Sequence, residues 1–215
     1  MRKLLRLPLA ALALALTFGL GGAANASYVV SGVFSIDVYN YNAGGVSANA
    51  DATPGNVTAN AGNLVNSITY TGSLDFFTPP GTTILAFLQS GGGLMSDTTG
   101  LNIAHSTGNF QTTTLLDITW NASLPGGTIE HDDGISLYDD GILVTPASAA
   151  LPTVAVDTTY GPVSGNLRLI YSAANSNPEV LQVTAVPIPG AVWLFGSGVL
   201  GLLGVGYSRK RKAAA

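Results

Sequence analysis

Residues 130 to 141 read Glu-His-Asp-Asp-Gly-Ile-Ser-Leu-Tyr-Asp-Asp-Gly, which places five carboxylates within eleven positions of a 215-residue chain. Clusters of this kind suit a hard cation such as calcium, which takes several carboxylate, carbonyl and water oxygens. Asp132, Asp133, Asp139 and Asp140 are the candidate ligands, and almost no cation lies near them to offset their mutual repulsion. The spacing is not that of an EF-hand loop, which needs ligands at alternate positions and a Glu at the twelfth. A second reading stays open beside this one. Asp-Gly favours positive φ, so the two Asp-Asp-Gly triplets also predict turns flanking one short strand, Ile135 to Tyr138.

The elements around this run are strands. Leu116, Ile118, Trp120, Ala122 and Leu124 alternate with Asp117, Thr119, Asn121 and Ser123, as expected of a strand with one buried and one wet face. The same period of two runs through Ile68, Tyr70, Gly72, Leu74 and Phe76, through Phe34, Ile36 and Val38, and through Leu167, Leu169 and Tyr171. Gly and Asn clusters at 42–45, 91–93, 126–127 and 175–177 mark turns between them. The pattern predicts an all-β body, an antiparallel β-sandwich or barrel of eight to ten strands, with no soluble helix. The Ala/Asn/Gly-rich stretch 42–63 reads as a long loop.

Other chemistry is scarce in this body. The chain has no Cys, which excludes disulfides and thiolate metal sites, and its charge excludes a basic nucleic-acid binder. Nucleophilic catalysis needs a base, and only His105 and His131 are available, neither in a nucleophile motif such as G-x-S-x-G. Beside four aspartates, His131 is expected to be a cationic turn residue or one held by a carboxylate. No catalytic set is therefore expected. Trp120, Tyr39, Tyr41, Phe76, Phe77 and Tyr138 are candidates for a sugar-stacking platform, or else ordinary core and sheet residues. Arg168, the one basic residue between Ser27 and Val186, is expected to pair with a carboxylate.

The charge distribution separates three regions. All twelve acids lie between Asp37 and Glu179, so the middle carries a formal charge of −11, whereas Arg2, Lys3 and Arg6 open the chain and Arg209, Lys210, Arg211 and Lys212 nearly close it. At the front, the three cations precede an apolar run from Leu7 to Leu20 and an Ala24-Asn25-Ala26 ending, the pattern of a secretory signal peptide (1–26) cleaved after Ala26. At the back, residues 186–207 carry no charge and as a helix would span about 33 Å, enough to cross a bilayer. A transmembrane helix over 188–207 followed by the basic tail 209–212 reads as a stop-transfer segment with the body outside. Pro187 and Pro189 lack an N–H and favour extended backbone, which either leaves this stretch open to an enzyme or simply starts the helix.

The C-terminal region 186–212 resembles a PEP-CTERM sorting signal. Val186-Pro187-Ile188-Pro189-Gly190, the apolar segment and Arg209 to Lys212 are similar to its V-P-x-P variant, a Pro motif followed by a transmembrane helix and a basic end. The resemblance implies recognition by an exosortase-like membrane transpeptidase of a Gram-negative bacterium that makes extracellular polysaccharide. The body (27–185) is also similar, over Asp132-Asp133-Gly134, Leu137, Asp140-Gly141 and the stretch from Leu167 to Val183, to protective-antigen-type β-barrel domains. That likeness implies Asp132 and Asp133 as calcium and sugar ligands. Together these readings predict a non-catalytic protein exported through the Sec translocon and anchored transiently in the inner membrane. It would then be sorted to the cell surface or matrix as a structural or adhesive component. The alternative is a lectin-like module that binds extracellular polysaccharide with calcium.

Overall fold

The structure, a computed structural model, describes residues 26–78, 82–176 and 178–186. Residues Ser27–Val186 form one unit. Residues 1–25 of the predicted signal peptide, Ala24 among them, the residues Pro187, Ile188, Pro189 and Gly190, the predicted 188–207 helix and Arg209, Lys210, Arg211 and Lys212 all lie outside the described residues. Among the described residues no helix is long and apolar enough to cross a membrane.

Two antiparallel sheets carry the unit. The larger is built in the order β5 (Leu94–Met95), β3 (Leu64–Ser73), β2 (Ser31–Tyr41), β6 (Thr113–Leu124), β11 (Val163–Ala173), β8 (Ile135–Asp139) and β9 (Ile142–Leu143). The smaller runs β1 (Tyr28–Val29), β12 (Glu179–Ala185), β7 (Gly127–Asp132) and β10 (Val156–Tyr160), with β4 (Asp75–Thr78) also paired to β12. The alternating rows do what their period requires. Phe34, Ile36, Ile68, Tyr70, Leu116, Ile118, Leu167 and Leu169 of the larger sheet meet Phe76, Ile129, Leu181 and Val183 of the smaller one in a single buried core. The expected all-β, antiparallel architecture is thus present as a sandwich.

Leu74 explains a difference from the expected strand pattern. The row from Ile68 to Phe76 reads as one strand, but the chain changes sheets inside it. The Leu74 N–H donates to Val30 O at 2.9 Å and its carbonyl accepts from Val183 N at 2.9 Å, so β3 ends in the larger sheet and β4 begins in the smaller. Both halves point apolar side chains at the same core, so the alternation continues unbroken across the corner.

The prediction of no soluble helix is corrected by two short ones. α1 (Pro54–Ala59) starts on Thr53, whose hydroxyl accepts from Asn56 N at 3.2 Å, with Pro54 in the first turn. α2 (Ile84–Ser90) starts on Thr83, which accepts from Ala86 N at 3.2 Å, and it buries Ile84, Phe87 and Leu88 on one face. Six and seven residues are too few to generate a visible 3.6 period. The stretch 42–63 is likewise no open loop. With 3₁₀ turns at Ser47–Ala50 and Ala61–Asn63 it brings Ala43, Ala50, Ala52 and Val57 onto Tyr39, Tyr41, Leu115 and Ile170, a second apolar cluster on the outer face of the larger sheet.

Candidate functional site

The acidic run is divided by β8. Asp132 closes β7 in the smaller sheet, opposite Val180, and Ile135 opens β8 in the larger sheet, opposite Tyr171. Asp133 and Gly134 are therefore the step between sheets, held there by Asp133 N to Ser172 O at 3.1 Å and Ser172 N to Gly134 O at 2.9 Å. The Asp132–Asp133 peptide bond is cis. At the other end of β8 the second triplet makes the tight turn to β9, with φ of 46° at Asp140 and 83° at Gly141. The turn reading holds for Asp140-Gly141 alone.

The two aspartate pairs differ in environment as well as place. Asp132 and Asp133 are buried, whereas Asp140 is exposed and Asp139 half-buried. Gly134 and four residues of strand, roughly 13 Å of extended chain for the strand part alone, lie between the pairs, so the four carboxylates do not form one shell. Asp140 Oδ1 accepts from Asn166 N at 3.1 Å and Asn166 Nδ2 at 3.0 Å, bonds that hold its carboxyl below the usual range. Asp139 Oδ2 accepts from Ser164 N at 3.0 Å. Both serve the β8–β9 hairpin and its β11 neighbour.

Asp133 works as a staple between loops. Its Oδ2 accepts from Ala174 N at 2.6 Å and Asn175 N at 3.2 Å, and its Oδ1 from Thr153 N at 3.2 Å. Burial nevertheless pushes its carboxyl up to about 7, with the charge of Asp132 adding to the shift. Asp132 is pushed up to about 6, first by burial and then by Glu179 beside it. The oxygen chemistry of this adjacent pair fits a hard cation, and a divalent ion would relieve its excess charge. It amounts to two carboxylates, one of them already engaged by three N–H groups. Among the described residues no group of three or more His, Asp or Glu is arranged to hold a metal ion.

The expectation for His131 is corrected. The ring is buried, its Nδ1 lies 2.5 Å from Asp133 O and its Nε2 2.7 Å from Thr158 Oγ1. A carbonyl can only accept, so Nδ1 carries the proton, and Nε2 accepts from the Thr158 hydroxyl. Burial lowers its pKa, which leaves it neutral and held by a carbonyl and a hydroxyl instead of a carboxylate. His105 is buried too, stacked on Phe87 with centroids 4.3 Å apart, and its Nδ1 is 3.6 Å from Glu179 Oε2. Ser106 Oγ donates to Glu179 Oε1 at 2.5 Å. Nothing in the sequence linked His105 to Glu179, because 74 residues separate them and His105 lies in a loop outside both sheets.

On the outer face of the larger sheet, the part left uncovered by 42–63 is a concave groove of about 840 Å³. The strand register sets its floor. Thr69, Ser35, Thr119, Arg168 and Tyr138 stand opposite one another across β3, β2, β6, β11 and β8. Beside them run Asn121 and Asn166, also register partners, and then Asp140 through its bonds with Asn166. Arg168 pairs with Asp117 through Nε to Oδ1 and Nη2 to Oδ2, each 2.8 Å, as its solitary charge required. Of the six candidate platform aromatics only Trp120 and Tyr138 line the groove. Trp120 belongs to the inward row and packs edge-on against Phe34 at 5.5 Å. Tyr39, Tyr41 and Phe76 are buried, and Phe77 is exposed on β4 in the other sheet. The polar floor was overlooked as a site, although its signal was the wet row Thr119, Asn121 of the alternating strand.

No family model matches this chain, and no curated protein does. Solved structures similar to it include two PA14 domains. The PA14 sugar-binding domain from an RTX adhesin is 18% identical, with a TM-score of 0.48 over 72% of this chain and 88% of that one. The PA14 domain of the antifreeze protein MpAFP is 12% identical, with a TM-score of 0.45 over 79% of this chain and 87% of that one.

Proposed function

We propose that this chain is a non-catalytic module of the bacterial surface whose body acts as an adhesive, carbohydrate-binding component of the extracellular matrix. The observation that supports the reading is the arrangement of the body's two ends. Tyr28 pairs with Ala185 and Val29 with Thr184, so the first strand lies along the last two residues of β12, next to Val186. Val186, the first residue of the Pro motif, is 37% exposed as it leaves β12. A body entered and left at one pole keeps its sheet faces and its opposite pole free while the chain is tethered. In this account the Sec translocon exports the body, and the 188–207 segment holds it in the inner membrane with Arg209 to Lys212 inside. An exosortase-like enzyme then acts at Val186–Gly190. The intact mass of protein recovered outside the cell tests this. Loss of residues 1–26 and of the chain beyond the Pro motif is expected, with the second loss abolished by replacing Pro187 and Pro189. A mature form that keeps its basic tail would overturn sorting.

A second reading concerns Asp132 and Asp133 at the far pole. Two adjacent buried carboxyls pushed up to about 6 and about 7 favour a bound cation, and calcium would supply a positive centre for hydroxyl oxygens of a sugar. Equilibrium dialysis against calcium, with and without Asp132→Asn, tests it. Equal uptake by both proteins would count against the site.

A further inference from the structure

We infer that the groove on the outer face of the larger sheet is a binding site for a neutral glycan chain. The inference rests on the carbohydrate-binding reading and adds to it a location and a ligand class. The location follows from which part of that face is left open. Segment 42–63 seals one part with the Tyr39, Leu115 and Ile170 cluster, while the part floored by Ser35, Thr119 and Asn121 is exposed and concave. Strands lie about 4.8 Å apart, so the row crossing five of them extends about 19 Å, a length that suits a chain ligand more than a single small molecule.

The ligand class follows from the side chains. Hydroxyls of Ser35 and Thr119 and the amides of Asn121 and Asn166 both donate and accept, which matches a ligand whose surface is hydroxyl groups. Tyr138 adds one aromatic ring at the β8 end. Of the large apolar side chains that line the groove, Phe34 and Leu167 are buried and Trp120 is half-buried, so Val33, at 63% exposure, is the one freely offered to an amphipathic protein segment, which would need more. Charge decides between neutral and acidic glycans. The guanidinium of Arg168 is matched by both oxygens of Asp117, so the unmatched charge is the exposed carboxylate of Asp140, on a body of formal charge −11. A uronate chain would meet repulsion there, and a neutral hexose chain would not.

The test uses the exported protein in calorimetric titrations with hexasaccharides of glucose, mannose and galactose and with a hexauronate. Thr119→Trp fills the centre of the groove from an exposed position, and Asn121→Ala removes one amide; unchanged thermal midpoints show that both variants fold. Saturable binding of at least one neutral hexasaccharide, weakened tenfold or more by each variant, with no hexauronate binding, is the expected result. Neutral binding that both variants leave unchanged would overturn the groove while leaving the carbohydrate reading standing, and its loss on Asp132→Asn or calcium removal would move the site to the far pole. Preference for the hexauronate would overturn the ligand class, and no binding of any sugar would overturn both readings.

Discussion

Arg168 and Asp117 face each other across β11 and β6 as a two-pronged ion pair, each contact 2.8 Å, with Asp117 nearly buried and Arg168 half-buried. Each is the other's main compensation. The hydrogen bonds that Arg168 donates to Asp117 raise the pKa of the guanidinium further, so Arg168 stays charged throughout the working range of pH. Replacing Arg168 by Met keeps the length of the side chain but strands the carboxylate. A loss of about 2 kcal/mol in urea unfolding is expected, largely restored by adding Asp117→Asn. A single mutant as stable as the parent would show that the pair does not stabilise the sheet.

Stability is expected to fall as pH rises from 5 to 7.5. Asp132 and Asp133 have folded-state pKa values of about 6 and about 7 against an ordinary 3.8, so in this window these two groups bind more protons in the folded chain than in the unfolded one, and they outnumber buried His131, whose lowered pKa acts the other way below its ordinary 6.5. Folding is then favoured by acid and weakened as each group is forced to ionise. Asp97 and Asp140 are shifted the other way, and their contribution is lost only below the ordinary carboxylate range. Thermal midpoints across this window check the sign, and Asp132→Asn should flatten the profile.

Calcium should remove that slope if it binds the same pair. An ion that interacts with the carboxylate forms competes with protons, so the midpoint at pH 7.5 rises while that at pH 5 changes little. At one hundred times its dissociation constant the ion contributes about 2.7 kcal/mol. Midpoints measured with calcium and with chelator at both pH values decide the matter, and identical curves would remove the calcium reading.

Gly134 should not tolerate a side chain. A Cβ built there would lie 2.2 Å from Ala150 O, the same carbonyl that accepts from Ala52 N at 2.8 Å. The atom in the way is backbone and fixed on its far side, so relief requires moving the 3₁₀ turn at Ala147–Ala150. Gly134→Ala is expected to cost about 2 kcal/mol or more, measured by chemical denaturation.

The strands and their buried faces were legible because alternation is local: Leu116, Ile118 and Trp120 announce an inward row whatever they face. The corner at Leu74 was not, because a chain that crosses between sheets over one core keeps its alternation. The helix starts at Thr53-Pro54 and Thr83 were written as caps without a long enough helix to give them context. The acidic run showed its composition but not its division. Whether Asp132 and Asp140 share a site depends on which sheets β7 and β8 join, a matter of pairing with β12 and β11 far along the chain. His105 and Glu179 were invisible for the same reason.

The pairing of β1 with the final residues of β12 has a mechanical side. A pull on a body fastened through Val186 enters along β12, which is flanked by β7 on one edge and by β1 and β4 on the other. Hydrogen bonds of an antiparallel ladder lie across the strand direction, so force along β12 loads many of them in shear at once instead of peeling them singly. Such a module resists tension best along the axis of β12, from Val186 back through the core.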